Sequence, residues 1–188
     1  GLLSTDTLAL GLDWNGDGSL LVTGVQDGFR SSLILQESTS ASLWVGTDGD
    51  ATVEIAGGAQ AIVNGDVKIA DGGGSGEMTV GGSQAGHDAY VLVRDNLWIG
   101  GNESNNGGPG TVRITDGGTV EVEDTTRLYL GDTLLIEPGG RLTASTLHDT
   151  DGGDVVIEGR LEFEHYLGTL ENADGGIVTP ALIADGAT

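Results

Sequence analysis

One motif returns along this chain at an interval too long for a hairpin and too short for a propeller blade. It is an apolar strand of period two, a glycine corner, and a second strand of period two. The clearest copies are Thr111–Val122, reading TVRITDGGTVEV, and Thr133–Ala144, reading TLLIEPGGRLTA. A shortened copy runs over Asp154–Glu164 and an earlier one over Thr52–Val63. Val112, Ile114, Val120 and Val122 fall on one face of the first copy, and Leu134, Ile136, Leu142 and Ala144 match them in the second. Val155, Ile157, Leu161 and Phe163 repeat the pattern, while Arg113, Glu121, Glu158 and Glu162 take the opposite face. Val112 to Leu134 is a step of 22 residues and Leu134 to Val155 one of 21. A single copy cannot bury its apolar face, so copies must stack, at about 4.8 Å per layer. The pairs Gly117-Gly118 and Gly139-Gly140 are read as corners turned at positive φ.

These features predict an all-β chain, a parallel β-helix (β-solenoid) of about 21–22 residues per regular coil with insertions. An antiparallel β-sandwich with regular turn spacing is the alternative. One domain over 1–188 is expected: irregular N-terminal coils at 1–42, regular repeats at 43–164, and a C-terminal strand or tail at 165–188. A second marker, an apolar strand closing on glycine, supports the insertions. It occurs at Leu8–Gly11, Leu43–Gly46, Leu97–Gly100 and Leu128–Gly131, at uneven intervals of 35, 54 and 31 residues. No window of 12 residues holds a helical period, because glycine and β-branched residues interrupt every one.

Composition limits the function. Aromatics are 4% of the chain, so the core must be Val, Ile, Leu and Ala; glycine, at 35 of 188 residues, lacks the Gly-X-Y period of collagen. Twenty-nine acidic residues against seven basic ones give a formal charge of −22, which repels nucleic-acid phosphates and anionic membrane surfaces. The same field attracts divalent cations, calcium above all outside cells. No apolar stretch is long enough to span a bilayer. No cysteine is present for a disulfide or for thiol chemistry. The opening Gly1-Leu2-Leu3, without an initiator Met, is read as the start of a mature exported chain.

The strings Leu97–Gly100 (LWIG), Thr111–Gly118 (TVRITDGG) and Leu134–Leu142 (LIEPGGRL within it) resemble the repeats of secreted bacterial β-helix proteins. The resemblance is to autotransporter passenger-like repeats and to exported planctomycete-type repeat proteins with sorting tails. It covers about 120 residues and implies a parallel β-helix with a surface or extracellular role.

Among local motifs, Asp13-Trp14-Asn15-Gly16-Asp17-Gly18-Ser19 matches the first half of a calcium loop, making Asp13, Asn15, Asp17 and Ser19 the candidate ligands. Its later positions depart from the pattern, with Leu21 and Gly24 where acids belong. His148, Asp149, Asp151 and Asp154 gather at a predicted corner and are read as a solvated turn, while His87 and His165 are read as surface residues. Glu121 and Glu162, with Arg141 and Arg160 nearby, are the only arrangement suggesting carbohydrate cleavage; a solvated β face shows the same pattern, and no catalytic residue is assigned. Trp44 and Trp98 occupy equivalent strand positions, with Tyr129 in a third copy, and are expected to point outward, either as a ladder for sugar or protein contact or as rings covered by insertions folded over them.

The open ends of a stack invite further strands. Leu8, Leu10 and Leu12 near the start, and Ile177, Val178, Leu182 and Ile183 near the end, are β-capable apolar segments suited to that pairing. The reading that follows is a secreted, non-enzymatic structural protein that assembles with itself by end-to-end stacking or terminal strand exchange into a filament or surface layer. The alternatives are a monomeric adhesin or polysaccharide-binding module, then a polysaccharide lyase or hydrolase. Nucleic acid and membrane insertion are excluded as partners, and Ca2+ is the one candidate cofactor.

Overall fold

A computed structural model of the chain describes residues 1–36, 42–102, 105–149, 152–168, 171–172 and 177–180. Among them there is no helix, and the strands assemble into two long sheets whose through-going pairings are all parallel. The antiparallel sandwich is therefore corrected. Among the described residues, antiparallel pairing is confined to two short hairpins, Val25–Gln26 with Phe29–Arg30 and Ser83–Gln84 with His87–Asp88, and to a Gly101–Asn106 bridge.

The chain visits three stacks of strands in turn. The first holds Leu2–Thr5, Ser32–Leu35, Gln60–Val63 and His87–Val93, followed by the leading halves of Gly118–Leu128, Arg141–Asp149 and Arg160–Gly168, then Ile177–Pro180. The second holds Leu8–Leu10, Leu43–Val45, Val67–Ile69 and Leu97–Ile99, then the trailing halves of the same three long strands. The third holds Gly18–Thr23, Ala51–Ala56, Gly76–Gly81, Gly110–Ile114, Thr133–Ile136, Asp154–Ile157 and Glu171–Asn172. One strand in each stack makes a rung.

Alternation puts every second side chain inside, because successive residues of a strand face opposite ways. On the third stack Leu20, Val53, Met78, Val112, Leu134 and Val155 are consecutive partners, so the three residues that define the sequence repeat lie one above another. From Val53 onward all of them are at most 5% exposed. The interior is aliphatic almost throughout, closed late in the chain by Phe163. One exception is Thr126, fully buried in the row between Leu97 and Leu147, with no partner for its hydroxyl.

The paired glycines divide their work. Gly117 and Gly139 hold the positive φ of the corner, at 69° and 81°, but their neighbours do not. Gly118 and Gly140 are needed for a different reason: a Cβ there would collide with Val80 O and Ile114 O of the preceding rung. This corrects the expectation that both members turn the chain.

Two further expectations shift. The 54-residue interval between Leu43 and Leu97 contains an intervening rung, Val67–Ile69, which pairs with both flanking strands. It closes on Ala70 (φ 58°) where Gly46 and Gly100 close the neighbouring rungs. In the fourth copy of the marker, Trp98 pairs with Arg127, not Tyr129, so Tyr129 stands outside the tryptophan row.

Candidate functional site

The first rung is covered on one side only. Leu2–Thr5 and Leu8–Leu10 end one long sheet and Gly18–Thr23 ends the other, so each has a strand on one side only. Their inward side chains are incompletely shielded: Leu3 is 47% exposed, and Leu8, Leu10, Leu20 and Val22 are only half-buried against the core. Apolar residues are also exposed around this rung, namely Leu12, Trp14, Leu21 and Phe29, with Trp14 at 84%. Leu8 and Leu10 thus pair as expected, while Leu12 lies beyond the strand and is exposed. At the other end Val178 packs on the core and Ile177 is exposed; Leu182 and Ile183 lie outside the described residues.

One cation staples this rung to the next two. Arg30 Nε donates to Gly58 O at 2.8 Å and Nη2 to Ala59 O at 3.0 Å, and the guanidinium also reaches Asp88 O. Burial lowers its pKa, opposed by nearby Asp88 and Tyr90. The two hairpins meet where Val25 N donates to Gln84 Oε1 at 2.9 Å, above the Gly57–Gly58 corner. Nothing in the spacing of the sequence signals this staple, because its partners are backbone carbonyls.

The acidic loop lies beside the same rung. Asp13, Asn15 and Asp17 are exposed, Asp13 O accepts from Gly16 N at 2.7 Å, and Ser19 has passed into the third stack opposite Thr52. Among the described residues no group of three His, Asp or Glu is placed to hold a metal ion. A shallow groove starts here and crosses four rungs, lined by Asp17, Ser19, Asp50, Thr52, Ser75, Glu77 and Thr111. The Ser75 hydroxyl and amide, at 2.7 and 3.1 Å, hold the Asp50 carboxyl below its ordinary pKa.

The tryptophans do not form an open ladder. On the outer side of the second stack Trp44, Lys68, Trp98 and Arg127 are successive partners, so aromatic and cation alternate. Lys68 Nζ lies 5.5 Å from the Trp44 ring centre, and Arg127 stands 4.6 Å over Tyr129. Trp98 is 8% exposed and Trp44 half-buried, each with a buried indole N–H that has no hydrogen-bond partner.

Glu121 and Glu162 share a row but are separated by Thr143. Glu121 accepts from Tyr90 OH at 2.8 Å; burial and this bond push the Tyr90 hydroxyl up to about 12. Arg141 donates to Glu162 at 2.8 Å and lowers its pKa, with Arg160 on the other oxygen. A carboxylate held ionised this way is a poor proton donor. His148 lies on the second stack beside Arg127; Asp149, 5% exposed, accepts from Gly153 N at 2.9 Å; Asp154 is exposed; Asp151 lies outside the described residues.

No family model, no curated protein and no solved structure matches this chain.

Proposed function

We propose that the chain is a parallel β-helix serving as an extracellular structural module, which joins further copies of itself end to end. The observation that carries this reading is the first rung: three edge strands of one polarity over half-exposed leucines, ringed by Trp14, Leu21 and Phe29. Edge backbone groups and uncovered apolar side chains both gain from a further rung. Every rung already joins its neighbour by parallel pairing, so an added copy with the same polarity continues the ladder. Such head-to-tail addition does not close, and it yields a filament or layer. The acidic surface keeps these units apart laterally.

Light scattering coupled to size exclusion, with negative-stain imaging, tests the proposal over a concentration series with and without calcium. Polymers that shorten on deletion of residues 1–12, or with Leu3→Lys, are the expected result. A monomer at every concentration would overturn it. Calorimetric titration of Asp13→Ala/Asp17→Ala against the parent separates any calcium effect at the loop. A second reading, a polysaccharide-binding module, draws on the hydroxyl- and carboxylate-lined groove from Asp17 to Thr111. Glycan retention by discrete monomers, lost in Thr52→Val/Glu77→Gln, would favour it.

A further inference from the structure

Asp132 has no role in the end-to-end reading, yet it is among the most thoroughly enclosed charged groups in the molecule. It is 2% exposed and sits just before Thr133–Ile136, where the chain passes from its longer circuits to its shorter ones. Its Oδ1 accepts the Gly110 amide at 2.7 Å, reaching back to the first residue of the preceding strand in the stack. Its Oδ2 is buried with no hydrogen-bond partner. The carboxylate occupies the space that Gly100 leaves empty, since a Cβ there would overlap both oxygens. Its main chain is fixed as well, with Asp132 N donating to Tyr129 O at 3.2 Å and Asp154 N to Asp132 O at 2.7 Å.

We propose that Asp132 is a proton-binding staple, neutral in mildly acidic solution, whose protonation tightens the join between the rungs that begin at Gly110 and Thr133. An ionised carboxylate needs several donors when water is excluded, and here one oxygen has none. Protonation removes the buried charge while leaving Oδ1 to accept from Gly110. The titratable or charged groups on the packed elements are Tyr129, Arg127 over its ring, and Asp149 and Asp154 on the following circuit. No charge among them sets the proton affinity: burial pushes the carboxyl up to about 6, opposed by the amide of Gly110. A carboxyl raised in the fold gives stability that is full below its unfolded value of about 3.9 and is lost as pH climbs through about 6.

The test is a carboxyl-carbon NMR titration of Asp132 in the full chain, together with amide exchange at Gly110 corrected for intrinsic rate. The expected midpoint is at least one unit above that of a free aspartate, with Gly110 protection on the order of tenfold higher at pH 5 than at pH 7. Asp132→Asn should flatten that pH dependence while the general effect of the acidic surface stays. A midpoint at or below about 4 would overturn the proposal, as would unchanged pH dependence in Asp132→Asn. If that variant does not fold, the titration of the parent decides alone.

Discussion

The two halves of the molecule build the same rung from different lengths of chain. Along one row of the first stack, Ser4 to Ile34 is 30 residues, Ile34 to Ile62 is 28, Ile62 to Leu92 is 30 and Leu92 to Glu121 is 29. Beyond Glu121 the steps fall to 22 at Thr143, 19 at Glu162 and 17 at Thr179. The outer surface changes with them: Ile34, Ile62 and Leu92 give way to Glu121, Thr143 and Glu162. What stays constant from Ser32–Leu35 to the leading half of Arg141–Asp149 is an inward pair of aliphatics, from Leu33 and Leu35 to Leu142 and Ala144. Excess chain is absorbed at corners, as in the two hairpins and beside the Gly101–Asn106 bridge, so the stack tolerates insertion there.

The largest effect should come from comparing the open end with the closed interior along one row. Leu134→Ala removes a fully buried side chain with rungs above and below, and should cost about 3 kcal/mol in denaturant unfolding. Leu20→Ala, on the first rung, should cost about 1 kcal/mol in dilute chain, below the concentrations at which copies stack and cover that rung. Equal costs would mean that the first rung is covered in solution, and would break the contrast between end and middle.

Corners provide the next contrast. Gly140→Ala sets a methyl against Ile114 O in a tight corner and should cost about 2 kcal/mol. Gly73, in the looser corner before Gly76–Gly81, has open space where its Cβ would go and no positive φ, so Gly73→Ala should be neutral within about 0.5 kcal/mol. Thermal melts of the pair check this, and a large cost at Gly73 would show that the long corners are as tightly constrained as the short ones.

How much of this was legible in the sequence follows the same divide. The 22- and 21-residue steps are readable because Val112, Leu134 and Val155 fall in circuits without insertions. The longer circuits hide their register: pairing partners there are set by hairpins such as Val25–Arg30, which spacing alone does not weigh. Of the candidate site, the apolar strand at Leu8–Leu10 was visible as alternation. The Arg30 staple was not, because backbone carbonyls carry no sequence signature. The enclosure of Trp98 was one of two open alternatives, since alternation gives the side of a strand but not what packs over it.

Between the halves lies Thr126, a polar side chain in a row that is aliphatic from Leu8 to Leu97 and again at Leu147. Its hydroxyl is buried without a partner, so Thr126→Val keeps the shape and removes an unmet hydrogen bond; a gain of about 1 kcal/mol is expected in the melt. A loss would mean that the hydroxyl has a bonded partner in solution, such as an enclosed water.

The most evenly balanced effect belongs to the residue that concealed a whole rung. Ala70 adopts φ 58° at the corner where Gly46 and Gly100 stand in neighbouring rungs, and it is fully buried. Ala70→Gly relieves about 1 kcal/mol of left-handed strain. It also forfeits a buried methyl worth about 0.8 kcal/mol and frees the unfolded chain by a further 0.5–1 kcal/mol or so. The terms nearly cancel, so unfolding free energy should move by less than about 1 kcal/mol, toward destabilisation. If the variant were instead clearly more stable, strain would dominate this corner, and alanine there would be a cost that packing does not offset. A near-zero result would explain why a glycine-based reading of the repeat passes over Val67–Ile69: at a buried corner, a methyl that packs well can stand in for the glycine that geometry alone would choose.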